Sequence, residues 1–448
     1  MSTTLSSDTD TVTRESVPWF AAPPVSDPSL DLPSWYEEIQ KQAWNSFLET
    51  PEPTRFDEDW RFADIKKARF AELQLARPAD NVEALVQRAK SERIDSFAAH
   101  FVFANNRLIF SEINELPEGV ICLPINEALA EHGDLVRQHF LEEKLALGGE
   151  KFAALHAAAT LSGLFVHFPK DCVSELPIIT HHFASGDFNC VFPHTLVVAD
   201  DHASVSVVDT FETAADDEQC FFFGKVELVA NQGGAIQYVA LQDESDHGPK
   251  HVQLTSARAG RDARIKSGFV NLGAAWIRQE SIARMVEEGS DVQLLSANLA
   301  NGIQEYDQRT LQTHEAQHTT SNLLYKNSLY DKSRTIFSGL IQVQPGSHHT
   351  DSYQTCRNLL GSNDAEANAM PGLEIDADQV KCSHGSTSGQ ISDEEIFYLM
   401  ARGIPAEPAR QMISLGFLNE TIAELSGEDI QAYLFERVER KFLSLRSK

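Results

Sequence analysis

From residue 33 to about 93 the apolar positions keep a helical spacing: Trp35, Ile39, Ala43 and Phe47 recur every fourth residue and share one predicted face. Ser34, with Glu37 three residues on, spells a capping box, so the first helix is predicted to open with Ser34 as its N-cap. A second helical stretch, residues 82–89, follows the break at Pro78. Near Phe101 the period shortens. Segments 101–110, 194–209, 225–230, 235–242, 263–272 and 291–299 are rich in β-branched and aromatic residues. Turn formers punctuate them: Asp200-Asp201, the run from Asn231 to Gly234, Glu288 to Ser290, and Asn301-Gly302. Within residues 204–208 apolar positions nearly alternate, as a strand with one buried face requires. Residues 144–164 are rich in Ala and Leu and predict a helix inserted in this strand-rich body.

Beyond that insertion roughly 200 residues carry no long helical period. A sandwich, a barrel or a β-solenoid fits. Many short strands with Gly, Asn and Asp corners, and little hairpin chemistry, favour a solenoid whose rungs stack to bury a continuous core. No fixed-length repeat is visible in the letters. After Gln390 the helical pattern returns: Ser392 with Glu395 opens a helix whose apolar side holds Ile396, Phe397, Leu399 and Met400, and Gly403 and Pro405 end it. Further helices are predicted over residues 407–415 and 427–445. The expected organisation is a flexible leader (1–30), an N-terminal helical region (31–97), a β body (98–389) and a C-terminal helical region (390–448).

Charge removes whole classes of partner. Acidic side chains outnumber basic ones 66 to 37, a formal charge of −29, which repels nucleic acid and anionic membrane. The six cysteines include no Cys-x-x-Cys pair, so a closed thiolate site and a disulfide framework are not expected. The segment from Met1 to Phe20 lacks the basic and apolar regions of a signal peptide, and a cytoplasmic protein is expected.

Two motifs read as decoys. His314-Glu315-Ala316-Gln317-His318 satisfies H-E-x-x-H, the pattern of a zinc hydrolase in which Glu315 is the base and His314 and His318 the ligands. Residues 310–321 look like strand and turn, however. Strand Cα atoms four residues apart lie roughly 13 Å apart, too far for two imidazoles on one zinc. Gly260 with Lys266-Ser267 resembles a phosphate loop, but Ile265 stands where glycine is needed, so no nucleotide site is expected on this chain. The pairs His181-His182 and His348-His349 read as solvated loop histidines.

The chemically dense stretch is Lys381-Cys382-Ser383-His384-Gly385. On a strand, Cys382 and His384 share a face with Cα atoms about 6.6 Å apart. A thiolate beside an imidazole suits iron or zinc, and a nearby cation would lower the thiol pKa. Glu374, Asp376 and Asp378 alternate just upstream. The plain alternative is a buried Cys and a hydrogen-bonded His where strand gives way to loop. Two ligands do not close a metal site, so function here would need a partner surface.

From residue 311 to about 425 the chain resembles the SufB/SufD family of iron–sulfur cluster assembly proteins. The resemblance rests on the segments 318–327 (His-Thr-Thr-Ser-Asn-Leu-Leu-Tyr-Lys-Asn), 333–341 (Ser-Arg-Thr-Ile-Phe-Ser-Gly-Leu-Ile), Arg357 to Leu360, and above all 371–385, which ends in Lys-Cys-Ser-His-Gly. Gly389-Gln390 and residues 397–404 continue it, and weaker echoes occur at 60–65 and 101–106. Gly385, where SufB members carry Glu, makes it most like the SufD branch. Cys356, where relatives have Asn, and Ser386-Thr387-Ser388 depart from the pattern.

The resemblance implies a right-handed parallel β-helix between helical N- and C-terminal regions. It also implies a non-catalytic subunit in complex with a SufB-like paralogue and a SufC-like ATPase, which supplies the ATP hydrolysis. Apart from the resemblance, a homodimer is one state open to the chain in isolation. The resemblance makes Cys382 and His384 candidate ligands of iron or a transient iron–sulfur cluster shared with the paralogue. It further suggests that Phe397, Met400, Met412 and Ile413 on the C-terminal helices meet the ATPase; otherwise those faces pack on the chain's own β body.

Overall fold

The computed structural model describes residues 20, 32–68, 70, 73–143, 147–216 and 218–445. The expected leader, Phe20 apart, lies outside the described residues. The body is a parallel β-solenoid of about eight turns with helices at both chain ends. Each turn contributes one strand to a first sheet, ending in Glu366–Ile375, and one to a second, ending in Lys381–Gln390.

The register shows why no repeat was legible. In the second sheet Ser204, Ala235, Arg264, Asp291, Thr320, Asp351 and Lys381 lie side by side. The interval changes from rung to rung, shortest from Arg264 to Asp291 and longest from Ser204 to Ala235 and from Thr320 to Asp351. Unequal intervals keep the letters out of phase while the strands stay in register. Two residues before each lies a corner: His202, Gly233, Asp262, Gly289, His318, His349 and Gln379 all have positive φ, between 55° and 78°. Left-handed backbone at every corner explains the Gly and Asp found there, and the histidines and Gln379 adopt it too.

Over the central rungs both sheets are covered on both faces, and a strand such as Phe221–Ala230 is buried at every position; toward the C-terminal end the cover thins and Asp351–Leu360 alternates between buried and more exposed positions. The outer face of the first sheet meets Phe47, Trp60, Phe70, Phe152 and Leu155 against Phe223, Leu254, Trp276 and Ile282. The outer face of the second meets the helices Ala406–Ala423 and Glu428–Leu445, with Leu418, Ile422, Leu434 and Val438 on Val239, Leu241, Val270 and Leu295. Residues pointing between the sheets grow polar toward the C-terminal end. An amide ladder runs there from Asn271 through Asn298 and Asn327 to Asn358, whose Nδ2 donates to Ser388 Oγ at 3.1 Å. Gly339 is small for a reason: a Cβ there would sit 1.9 Å from Gln354 Nε2.

Several expectations change. The first helix, Ser34–Glu49, takes Ser34 into its first turn; Pro33 is the N-cap and no side chain caps it. Residues 101–110 are two antiparallel strands, Ala99–Ala104 and Arg107–Ile113, turning at Asn105-Asn106, both with positive φ. Residues 194–209 likewise hold two strands, Pro193–Ala199 and Ser204–Thr213, one in each sheet. The inserted helix is shorter than expected, Glu150–Ala159, because Ser162–Phe168 already pairs as a strand. At the far end Ser392 accepts from the Glu395 amide and Gly403 has φ 86°, as the capping pattern requires.

Candidate functional site

Along the strand Asp351–Leu360, Ser352, Gln354, Cys356 and Asn358 are buried and point between the sheets. Cys382, His384, Ser386 and Ser388 pair with these four and continue their columns on the last strand. No strand among the described residues covers this rung. Cys382 is therefore half-buried and His384 exposed, although both occupy inward-facing columns. The plain alternative of a buried Cys at a strand-to-loop junction is thus not what forms: the residues lie inside a ten-residue strand, on one face, at an open end.

The electrostatics differ from expectation. Partial burial and the nearby Asp351 carboxylate push the Cys382 thiol up, and among the described residues no cation acts to lower it. Lys381, next in sequence, falls on the opposite strand face. Of the acidic run, Glu374 is exposed and accepts from Gln342 Nε2 at 3.0 Å, while the Asp378 carbonyl pairs with His348 Nδ1 at 3.1 Å. Among the described residues no three His, Cys, Asp or Glu group to hold a metal. Cys356, one rung in, is sealed by burial and its thiol pushed up to about 12. A Cβ on Gly385 would meet nothing within 4 Å among the described residues, so its smallness answers to no neighbour there.

The C-terminal helices show both faces of the alternative. Leu418 and Ile422 pack on the chain's own solenoid, while Phe397, Tyr398, Met400 and Met412 are exposed, Phe397 at 71%. Ile413 is half-buried: it packs against Ile391, Ile396 and Ala409, because the helix Ala406–Ala423 turns it toward the short helix Asp393–Met400. Tyr398, which no spacing or motif singles out, extends the exposed patch beside Phe397.

The H-E-x-x-H residues do not converge. His314 ends the strand Glu305–His314 inside the solenoid, with its ring nitrogens on Thr319 Oγ1 (2.7 Å) and Ser321 Oγ (3.0 Å). Glu315 is held by Arg284 at 2.7 Å, and His318 lies exposed on a corner. Of the histidine pairs, His348-His349 lies in a turn with His349 exposed, as expected, whereas His181-His182 departs from expectation. His181 and His182 are buried in the strand Ile178–Ala184, facing opposite sides: His181 Nδ1 meets His100 Nε2 at 3.1 Å, and His182 stacks on Phe103 and Phe211. Both strand faces are covered here, so neither histidine reaches water.

A family model described as "SUF system FeS cluster assembly, SufBD core domain" matches residues 181–417, more than half of the chain. The chain belongs to the SufBD family. A model of the SufBD N-terminal region matches residues 32–179. Among relatives, the "Iron-sulfur cluster assembly protein SufD" of Bacillus subtilis is 26% identical over 421 residues, covering 91% of this chain and 94% of its own length. The protein of the same name from Escherichia coli is 28% identical over 404 residues, covering 89% and 91%. A chloroplastic SufBD family protein of Arabidopsis thaliana is 25% identical over 421 residues, covering 88% and 75%. The SufBD assignment agrees with the solenoid and with the segments that carried the resemblance.

Proposed function

We propose that this SufBD protein is a non-catalytic, cytoplasmic assembly subunit whose C-terminal solenoid end pairs with a SufB-like paralogue. Cys382 and His384 there hold iron or a nascent iron–sulfur cluster in transit. The observation that carries this reading is the uncovered last rung. Two ten-residue edge strands leave backbone N–H and C=O groups unpaired, and Cys382 and His384 face the open end between them. Such an edge is a template for another chain's strands, and a long bare edge is a liability unless a partner covers it. Two side chains need further ligands from that partner. The raised Cys382 thiol would release its proton as iron binds, because a metal takes the thiolate.

In this reading a SufC-like ATPase docks on Phe397, Tyr398, Met400 and Met412. The helices beneath are tied to the solenoid: Lys326 Nζ, paired with Glu420, donates to Phe417 O at 2.9 Å, and the Tyr330 and Ser414 hydroxyls meet at 2.7 Å. A push on the helices would therefore reach the rungs directly. Deleting residues 390–448 would strip the core of the second sheet, so point substitutions give the cleaner test. Co-expressed with both partners, the wild-type chain should retain paralogue and ATPase. Phe397→Asp with Met412→Asp should lose the ATPase alone at an unchanged melting temperature, since both side chains are exposed. A wild-type chain that retains no paralogue, or a double variant that still holds the ATPase, would refute the corresponding contact.

A further inference from the structure

The two histidine motifs that the assembly reading leaves unused meet at one point. His318, from His-Glu-x-x-His, and His349, from His348-His349, occupy the same corner of consecutive rungs, because Thr320 pairs with Asp351. Their rings stack with centroids 4.7 Å apart and planes 16° apart. Both residues are exposed, and no ring nitrogen of either makes a hydrogen bond within the described residues. The backbone beneath them is fixed. The His318 amide donates to His348 O at 3.0 Å, Thr350 Oγ1 donates to Ser347 O at 2.9 Å, and Ser347 Oγ donates to His314 O at 3.0 Å.

The corner does not demand histidine. In the same column the position is filled by Gly233, Asp262, Gly289 and Gln379, and His202 stands next to Gly233 with no second imidazole. We propose that His318 and His349 form a surface site for a divalent transition-metal ion of the zinc class, held by two neutral imidazoles and water.

The geometry fits. In-register parallel strands set the two Cα atoms about 4.8 Å apart. Two imidazole nitrogens on one tetrahedral zinc lie roughly 3.3 Å apart, given bonds of about 2.0–2.1 Å. The exposed rings stand with centroids 4.7 Å apart, so the site requires rotation about their side-chain bonds to bring one nitrogen of each to that spacing. The strongly acidic chain raises the local concentration of cations. Among the described residues no third His, Cys, Asp or Glu completes a cage, so water fills the remaining positions and the site is an exchangeable one.

The test uses the full chain carrying Cys382→Ser and His384→Ala, so that the solenoid end contributes no ligand, and titrates Zn²⁺ alone by calorimetry. One zinc should bind. Adding His318→Gln or His349→Gln should weaken it by at least the roughly tenfold that even an outer-shell change costs a metal site. Glutamine already holds this corner at position 379 with φ 58°, so both variants should fold, checked by an unchanged melting temperature. His348→Gln should leave the affinity intact, since its ring faces the Asp378 carbonyl. With Cu²⁺ instead, spin-echo modulation should report two imidazoles, falling to one in either variant. Zinc affinity that survives both substitutions, or falls equally with His348→Gln, would overturn the assignment.

Discussion

Replacing Arg278 with methionine should destabilise the folded chain by about 3–5 kcal/mol, the cost of stranding buried carboxylates. Arg278 is fully buried on the outer face of the first sheet. Its Nε donates to Glu280 at 2.7 Å, its Nη1 pairs with Asp307 and donates to Asp59 O at 3.0 Å, its Nη2 reaches Leu147 O, and its guanidinium lies 4.2 Å from the Trp60 ring centre. Arg309 continues the network, from Asp307 at 2.7 Å to Arg61 O at 3.0 Å, and Arg334 links Glu305 to Phe62 O. Together these groups clamp residues 59–64 onto the solenoid. Among the described residues the methionine variant leaves Glu280 with no ion-pair partner and Asp307 with only Arg309. Equilibrium unfolding should show the loss, and limited proteolysis should cut first near residues 50–64. Lysine should rescue little, because an ammonium does not reproduce the guanidinium fork. A loss below about 1 kcal/mol, the scale of a surface pair, would mean that the clamp contributes nothing special.

Acid should unfold this chain well before its surface carboxylates are all protonated. Burial holds His100, His182 and His314 down to about 4, with Arg93 also lowering His100. Their folded values lie below the unfolded value of about 6.5, so the unfolded chain binds more protons between those limits. Stability is therefore intact above pH 6.5 and lost as the pH falls toward 4. At pH 5 each such group removes roughly 2 kcal/mol, at 1.36 kcal/mol per pH unit. His314 isolates the effect, because burial is the sole cause of its shift and its ring meets only the Thr319 and Ser321 hydroxyls. Melting temperatures should fall between pH 7.5 and 5.0, and His314→Gln should fall less steeply. Parallel pH profiles for the two proteins would contradict the assignment.

Local signals carried well from letters to structure where one principle acted alone. Ser392, Glu395 and Gly403 cap their helix as their chemistry dictates, and the strand-and-corner grammar led to the solenoid. The losses have physical reasons. Ser34 yields the cap to Pro33 because the helix begins one residue earlier, a shift that capping letters alone do not fix. Rungs of unequal length erase a letter repeat while hydrogen bonds preserve the spatial one. His181-His182 looked solvated because adjacent strand residues face opposite ways; which faces are covered is decided by segments far away in sequence. Ile413 and Met412 differ in burial through the packing of two helices, not through composition. At the solenoid end, shared facing of Cys382 and His384 was legible from the two-residue period. The Asp351 carboxylate that raises the thiol lies a full rung upstream and becomes a neighbour only through register.

The reading rests on Cys382 and His384 acting together at an end that a partner chain completes. Iron and acid-labile sulfide, counted per complex after anaerobic co-expression with the SufB-like and SufC-like partners, test it most directly. The wild-type complex should hold both, and His384→Ala and Cys382→Ser should each lose most of them while the subunits stay together and the melting temperature holds. Undiminished iron and sulfide in both variants, with the complex intact, would contradict it.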